Sequence, residues 1–146
     1  MANYLNAEEI EFLKKRSEEL FMGKTFSCGM TMLYCMSELF KLPLDQQVLD
    51  ALNGIMEHRD YRMQCGLYKG ALMFLGIYGA AKGWDRPKLN EVTKDFAAKF
   101  EEAYGSQKCY DIRGGKFQPT EPHDKCAPTT EKGVLLAADF IKGLEA

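Results

Sequence analysis

With 146 residues, 46% of them hydrophobic and 27% charged, the chain is sized for one globular domain able to bury its own core. A formal net charge of −2, with Lys and Arg scattered, argues against a nucleic-acid binder, which carries a basic excess. The longest uncharged stretch, Gly70 to Ala81, falls short of the roughly 20 apolar residues that cross a bilayer, so no membrane role is expected.

The N-terminal MANYLNAEEIEFLKK lacks the basic start and apolar block of a secretory signal, which points to the cytoplasm. A first helix is predicted from Ala7 to Met22, with Asn6 as its cap and Glu8 and Glu9 in the first turn, where the dipole favours them. Ile10, Leu13, Leu20 and Phe21 keep helical spacing, and Gly23 is the expected terminator. Lys14-Lys15-Arg16, flanked by glutamates, reads as a solvated face. The second helix spans Cys28 to Phe40, capped by Thr25 or Ser27. Its Met30, Met32, Leu33, Tyr34, Met36, Leu39 and Phe40 imply burial on most sides.

Beyond Pro43, Leu44 to Met56 reads as a third helix and Glu57 to Arg62 as a charged loop. The fourth helix, Gln64 to Ala81, opens within RMQCGLYKGALMFLG. Each glycine inside a helix costs about 1 kcal/mol relative to Ala. Gly66 and Gly70, one turn apart, therefore suggest the close approach of a neighbouring helix or a bound cluster. Pro87 suits the first turn of a fifth helix, Pro87 to Tyr104, with a stripe of Leu89, Val92, Phe96 and Phe100. Asp111 to Pro128, rich in proline and glycine, reads as a long loop, and its Gly114-Gly115-Lys116 lacks phosphate-loop spacing. A last helix is expected from Thr129 to Gly143, with Thr130 a candidate cap. The fold class is all-α: a single-domain bundle of five or six helices, with a long cysteine-containing loop before the last.

Five cysteines, an odd number in a chain assigned to the cytoplasm, do not make a disulfide framework. Cys28, Cys65, Cys109 and Cys126 fall at element boundaries, whereas Cys35 lies inside an apolar helix and is expected in the core. A thiol at a helix N-terminus faces unpaired amides and the positive end of the dipole, which favour thiolate, the form that attacks and binds soft metals. With Arg62 and Lys69 near it in sequence, Cys65 is expected to be the most acidic accessible thiol. No Cys-x-x-Cys pair is present, which sets aside zinc ribbons and thioredoxin-type motifs. His58 and His123 read as loop residues with a secondary chance of acting as ligands or proton donors.

Cys28, the motif Cys65-Gly66-Leu67-Tyr68-Lys69-Gly70, Cys109 and Cys126 together resemble the C_GCAxxG_C_C family of redox-active proteins, named for its cysteine pattern. The likeness extends to Ala71-Leu72-Met73, Leu75-Gly76 and Tyr104-Gly105-Ser106. One departure is Leu67, where the family carries Ala; the change Leu67→Ala is expected to be mild. The resemblance implies a small redox protein in which Cys28, Cys65, Cys109 and Cys126 form one catalytic or metal-binding site, lined by Gly66 and Gly70. An iron–sulfur cluster or thiol–disulfide exchange would serve. The competing reading is a structural Zn module, its ion held by the same four thiolates and without activity, so enzymatic status stays open. The expected partner is an electron-transfer protein, and the apolar helices are compatible with a homodimer.

Overall fold

The computed structural model describes residues 3–25, 27–57, 64–114 and 126–146, and the backbone alone at 24, 25, 56 and 57. Asn6 starts α1 (Ala7–Glu19) with a reciprocal cap. The Glu9 amide donates to the Asn6 side chain at 2.8 Å and the Asn6 amide to the Glu9 carboxylate at 3.1 Å. The helix does not stop at Gly23. It widens into a π-helical turn, Leu20–Thr25, that runs through Gly23, and Gly23 does not adopt the positive φ of a terminator. Burial of Leu20 and Phe21 carries the coil forward where a glycine alone predicted an end.

Ser27, not Thr25, caps α2 (Cys28–Phe40), its Oγ accepting from the Met30 amide at 3.3 Å. Next come α3 (Gln46–Glu57), α4 (Gly66–Lys82) and α5 (Arg86–Tyr104), the last capped by Asp85 with Pro87 in its first turn. The expected loop from Asp111 is shorter than predicted at both ends, because a single helical turn, α6 (Cys109–Ile112), begins it and α7 (Ala127–Glu145) ends it early. Four residues are too few for periodicity to register. Thr130 is consequently not a cap: it is buried within the first turn of α7, and its hydroxyl has no hydrogen-bond partner among the described residues. His58, His123, Arg62 and most of the expected 111–128 loop lie outside the described residues.

The fold is all-α, with no strand and no membrane-length apolar helix among the described residues. Helix α2 is central, packing chiefly on α4 and also on α7, α1 and α3. Phe74, Phe96, Phe100, Met32, Met36 and Leu13 fill the space between. The α2–α4 pair is held close at Gly70, where a Cβ would stand 2.8 Å from the Gly29 carbonyl oxygen and 3.2 Å from Met32 Cβ. The helix-breaking cost of Gly70 therefore secures a backbone-to-backbone contact. Arg16 grips Glu38 with two nitrogens at 2.7 and 3.0 Å, tying α1 to α2. Asp139 of α7 accepts the amides of Asn3, Tyr4 and Leu5, which anchors the N-terminal segment.

Candidate functional site

Close packing of α2 on α4 aligns their N-terminal ends. Ser27 fixes the start of α2, so Cys28 is its first residue. Cys65 precedes α4 as its N-cap, with φ −58° and ψ 137°. There the two thiols share a hydrogen bond. It holds Cys65 below the ordinary thiol range, against the opposing effect of burial; the nearby Leu67 and Tyr68 amides and the Lys69 charge add to the lowering. Neither amide closes a full capping bond to the sulfur, so the Cys28 contact dominates. Cys28 is pushed well up by that same bond, by burial, and by Cys65, Cys126 and Cys109. The two opposite shifts share one cause, a hydrogen bond that favours the thiol of Cys28 and the thiolate of Cys65.

A second construction brings in Cys109. Gln64 and Lys108 form an antiparallel bridge, the Cys65 amide donates to the Gln107 carbonyl at 2.6 Å, and the Gln64 and Gln107 side chains bond at 3.0 Å. Ser106 then receives the Lys108 amide at 3.0 Å and donates to Asp111 at 2.7 Å, which shapes the turn that presents Cys109. Burial raises Cys109 to about 11, reinforced by Cys65 and Cys126 and relieved by the Arg113 guanidinium.

Tyr104 provides the third construction. Its hydroxyl donates to the Thr129 carbonyl at 2.8 Å, joining the end of α5 to the start of α7, where Cys126 is the N-cap. Burial and the neighbouring Cys65 and Cys28 raise its phenol. Lys132 lies 4.5 Å from its ring centre and donates to the Ala103 carbonyl at 2.7 Å.

The four boundary cysteines thus share one neighbourhood, with Cys28 and Cys65 in contact and Cys109 and Cys126 within electrostatic reach. Cys35 stands apart, fully buried, with its thiol raised to about 12, first by burial and then by Glu38. One expectation needs correction. Cys65 is acidic but not accessible, being only 5% exposed, whereas Cys28, Cys109 and Cys126 are half-buried. The Leu67 methyls reach the bare face of Gly133, where a Cβ would come within 2.8 Å of Leu67 and 2.9 Å of the Tyr104 hydroxyl. Gly66 is buried at the start of α4, and Gly70 turns its bare face to Gly29.

Sequence reasoning gave no role at the site to Tyr104, Arg113 or Gly133. Tyr104 extends the α5 stripe by four residues beyond Phe100, and that spacing was a usable signal. Nothing in the spacing marks Arg113 or Gly133.

Four thiols are the donor chemistry of an iron–sulfur or zinc site. The arrangement is not: among the described residues, no three His, Cys, Asp or Glu side chains are grouped so as to hold a metal ion. The model of the family described as "Putative redox-active protein (C_GCAxxG_C_C)" matches residues 26–140. The chain belongs to that family. Searches among curated proteins and solved structures gave no match.

Proposed function

We propose that this C_GCAxxG_C_C protein exchanges electrons by thiol–disulfide chemistry at Cys28 and Cys65, in the cytoplasm. The observation that carries the reading is the hydrogen bond between the two thiols. It brings the two sulfurs together and favours the thiolate of Cys65. In the oxidising direction, Cys28–SH and Cys65–S⁻ lose two electrons and one proton to form an S–S bond, and a partner disulfide accepts them to become a thiol and a thiolate. In the reverse direction a partner dithiol closes its own disulfide and Cys65 leaves as the thiolate. A stabilised thiolate leaves faster, so the Cys28–Cys65 disulfide is readily opened.

A resident cluster or zinc ion held by all four thiols is the alternative, favoured by the electrostatic reach of Cys109 and Cys126 to the pair. It requires those thiols to close in further. Equilibrating reduced protein with defined ratios of reduced and oxidised glutathione, and following intact mass, tests the first reading. Loss of two hydrogens is expected in wild-type protein, with the new bond mapping to the peptides that contain Cys28 and Cys65. Visible charge-transfer absorption or stoichiometric zinc in anaerobically purified protein, with no such mass change, supports the alternative instead.

A further inference from the structure

We propose that Cys109, braced by Arg113, is the outward thiol through which the buried Cys65 exchanges disulfides with a dithiol partner. The proposal rests on the Cys28–Cys65 reading and supplies a route to the Cys65 sulfur, which is only 5% exposed. Direct attack on the half-buried Cys28 is the competing route, and the reduction rates of wild type and Cys109→Ser separate the two. Three observations select Cys109. First, the backbone at Cys65 is bonded to Gln107, and the adjacent residues Gln64 and Lys108 form the bridge. Lys108 is extended, with φ −88° and ψ 135°, so the residue after it returns its side chain to the face that Cys65 shares with Gln107. The bridge ties the two segments together, and Cys65 acts electrostatically on the Cys109 thiol, so a shift of one segment would bring the two within disulfide range. The segment concerned, α6, is a single turn. Second, Cys109 is half-buried and followed by the exposed Tyr110, which puts its sulfur nearer the surface than that of Cys65. Third, the Arg113 guanidinium hydrogen-bonds the Cys109 sulfur and can stabilise it as a leaving thiolate.

The exchange balances without any further oxidant. Cys109 attacks the Cys65 sulfur of the Cys28–Cys65 disulfide; that bond breaks, and the proton of Cys109 passes to Cys28. A partner thiolate then attacks the Cys109 sulfur, and Cys65 leaves as a thiolate. The partner's second thiol attacks the partner sulfur now bonded to Cys109. Cys109 leaves and takes up that thiol's proton. The partner ends as a disulfide, and the protein ends with Cys28–SH, Cys65–S⁻ and Cys109–SH.

Two measurements test this. In Cys28→Ser protein oxidised with diamide, peptide mapping should find Cys65 linked to Cys109; a Cys65–Cys126 link, or no intramolecular link, overturns the relay. In wild-type protein carrying the Cys28–Cys65 disulfide, reduction by dithiothreitol should slow by at least about tenfold in Cys109→Ser, since an intramolecular thiol acts at a high effective concentration. Arg113→Gln should slow it less, with recovery in Arg113→Lys. Equal rates in wild type and Cys109→Ser overturn the relay while leaving the pair intact. Failure of wild-type protein to form the Cys28–Cys65 disulfide at all removes the underlying reading instead, whatever the Cys28→Ser map shows.

Discussion

Gly70 of α4 meets Gly29 of α2 backbone to backbone, so closely that a Cβ on residue 70 would stand 2.8 Å from the Gly29 carbonyl oxygen. The contact lies one turn into α4 and at the second residue of α2, directly behind Cys65 and Cys28. Helix spacing there sets the separation of the two sulfurs.

Gly70→Ala should therefore lower stability by about 1–3 kcal/mol, and Gly70→Leu by more, because the obstacle is backbone and cannot rotate away. Gly76, in the same helix, has no atom within 4 Å of its would-be Cβ. Gly76→Ala should instead stabilise by roughly 0.5–1 kcal/mol through helix propensity. Thermal midpoints of the variants against wild type decide the matter, and identical midpoints for Gly70→Ala and wild type would show that the helices are not held in contact.

Leu67→Ala, expected from the family pattern to be mild, should be costly. Leu67 is 1% exposed and its methyls fill the notch at Gly133. Removing them leaves a cavity worth about 2–5 kcal/mol. Gly133→Ala alone should also destabilise, since its Cβ collides with Leu67 and the Tyr104 hydroxyl. The double variant should be more stable than the sum of the two losses predicts, with a favourable coupling of about 0.5–3 kcal/mol in a double-mutant cycle by urea denaturation. Strict additivity would mean that the two residues do not share the space.

In metal-free, reduced protein the cysteines make stability depend on pH in a two-sided way. Cysteines of the unfolded chain titrate near about 8.5. Cys65 is lowered in the fold, so between its folded pKa and that value the unfolded chain holds a proton the native state has released, and stability rises with pH. Above it the signs reverse. Cys28 is raised, as are Cys109 (to about 11) and Cys35 (to about 12), so the native state keeps protons that the unfolded chain loses. Urea midpoints measured from about pH 7 to 10 should pass through a maximum, and Cys65→Ser should abolish the rising limb. A steady fall from neutral pH in wild type would mean that Cys65 is not acidic.

Pulse alkylation with iodoacetamide should modify the half-buried Cys28 and Cys109 slowly, because their thiols are raised, and Cys35 not at all until unfolding. Cys65, acidic but nearly sealed, should react more slowly than its charge state alone implies. Peptide mapping after a short pulse gives the order, and early labelling of Cys35 would reverse the assignment of core and site.

Most of the helical frame was legible because amphipathic stripes such as Leu89–Val92–Phe96–Phe100 obey one period, and because Asn6, Ser27 and Pro87 carry local signals. The all-α class and the place of Cys35 in the core followed from the same reasoning. What was hidden is long-range. The Gln64–Lys108 bridge pairs residues 44 positions apart, and Gly133 makes room for Leu67 across 66 positions, so neither leaves a pattern in a local window. Gly23 misled for the opposite reason: a local terminator was overruled by burial of Leu20 and Phe21. The burial of Cys65 depends on how α4 seats against its neighbours, which its sequence position could not convey.

The central claim, that Cys28 and Cys65 are the redox pair, is tested most directly by mapping the first disulfide formed when metal-free, reduced wild-type protein is oxidised with substoichiometric diamide. Non-reducing digestion and mass spectrometry should recover the peptide containing Cys28 joined to the peptide containing Cys65 as the earliest product, restored to free peptides by a dithiol. Early product dominated by any link to Cys35, or by intermolecular links with Cys28 and Cys65 both remaining as thiols, would contradict it.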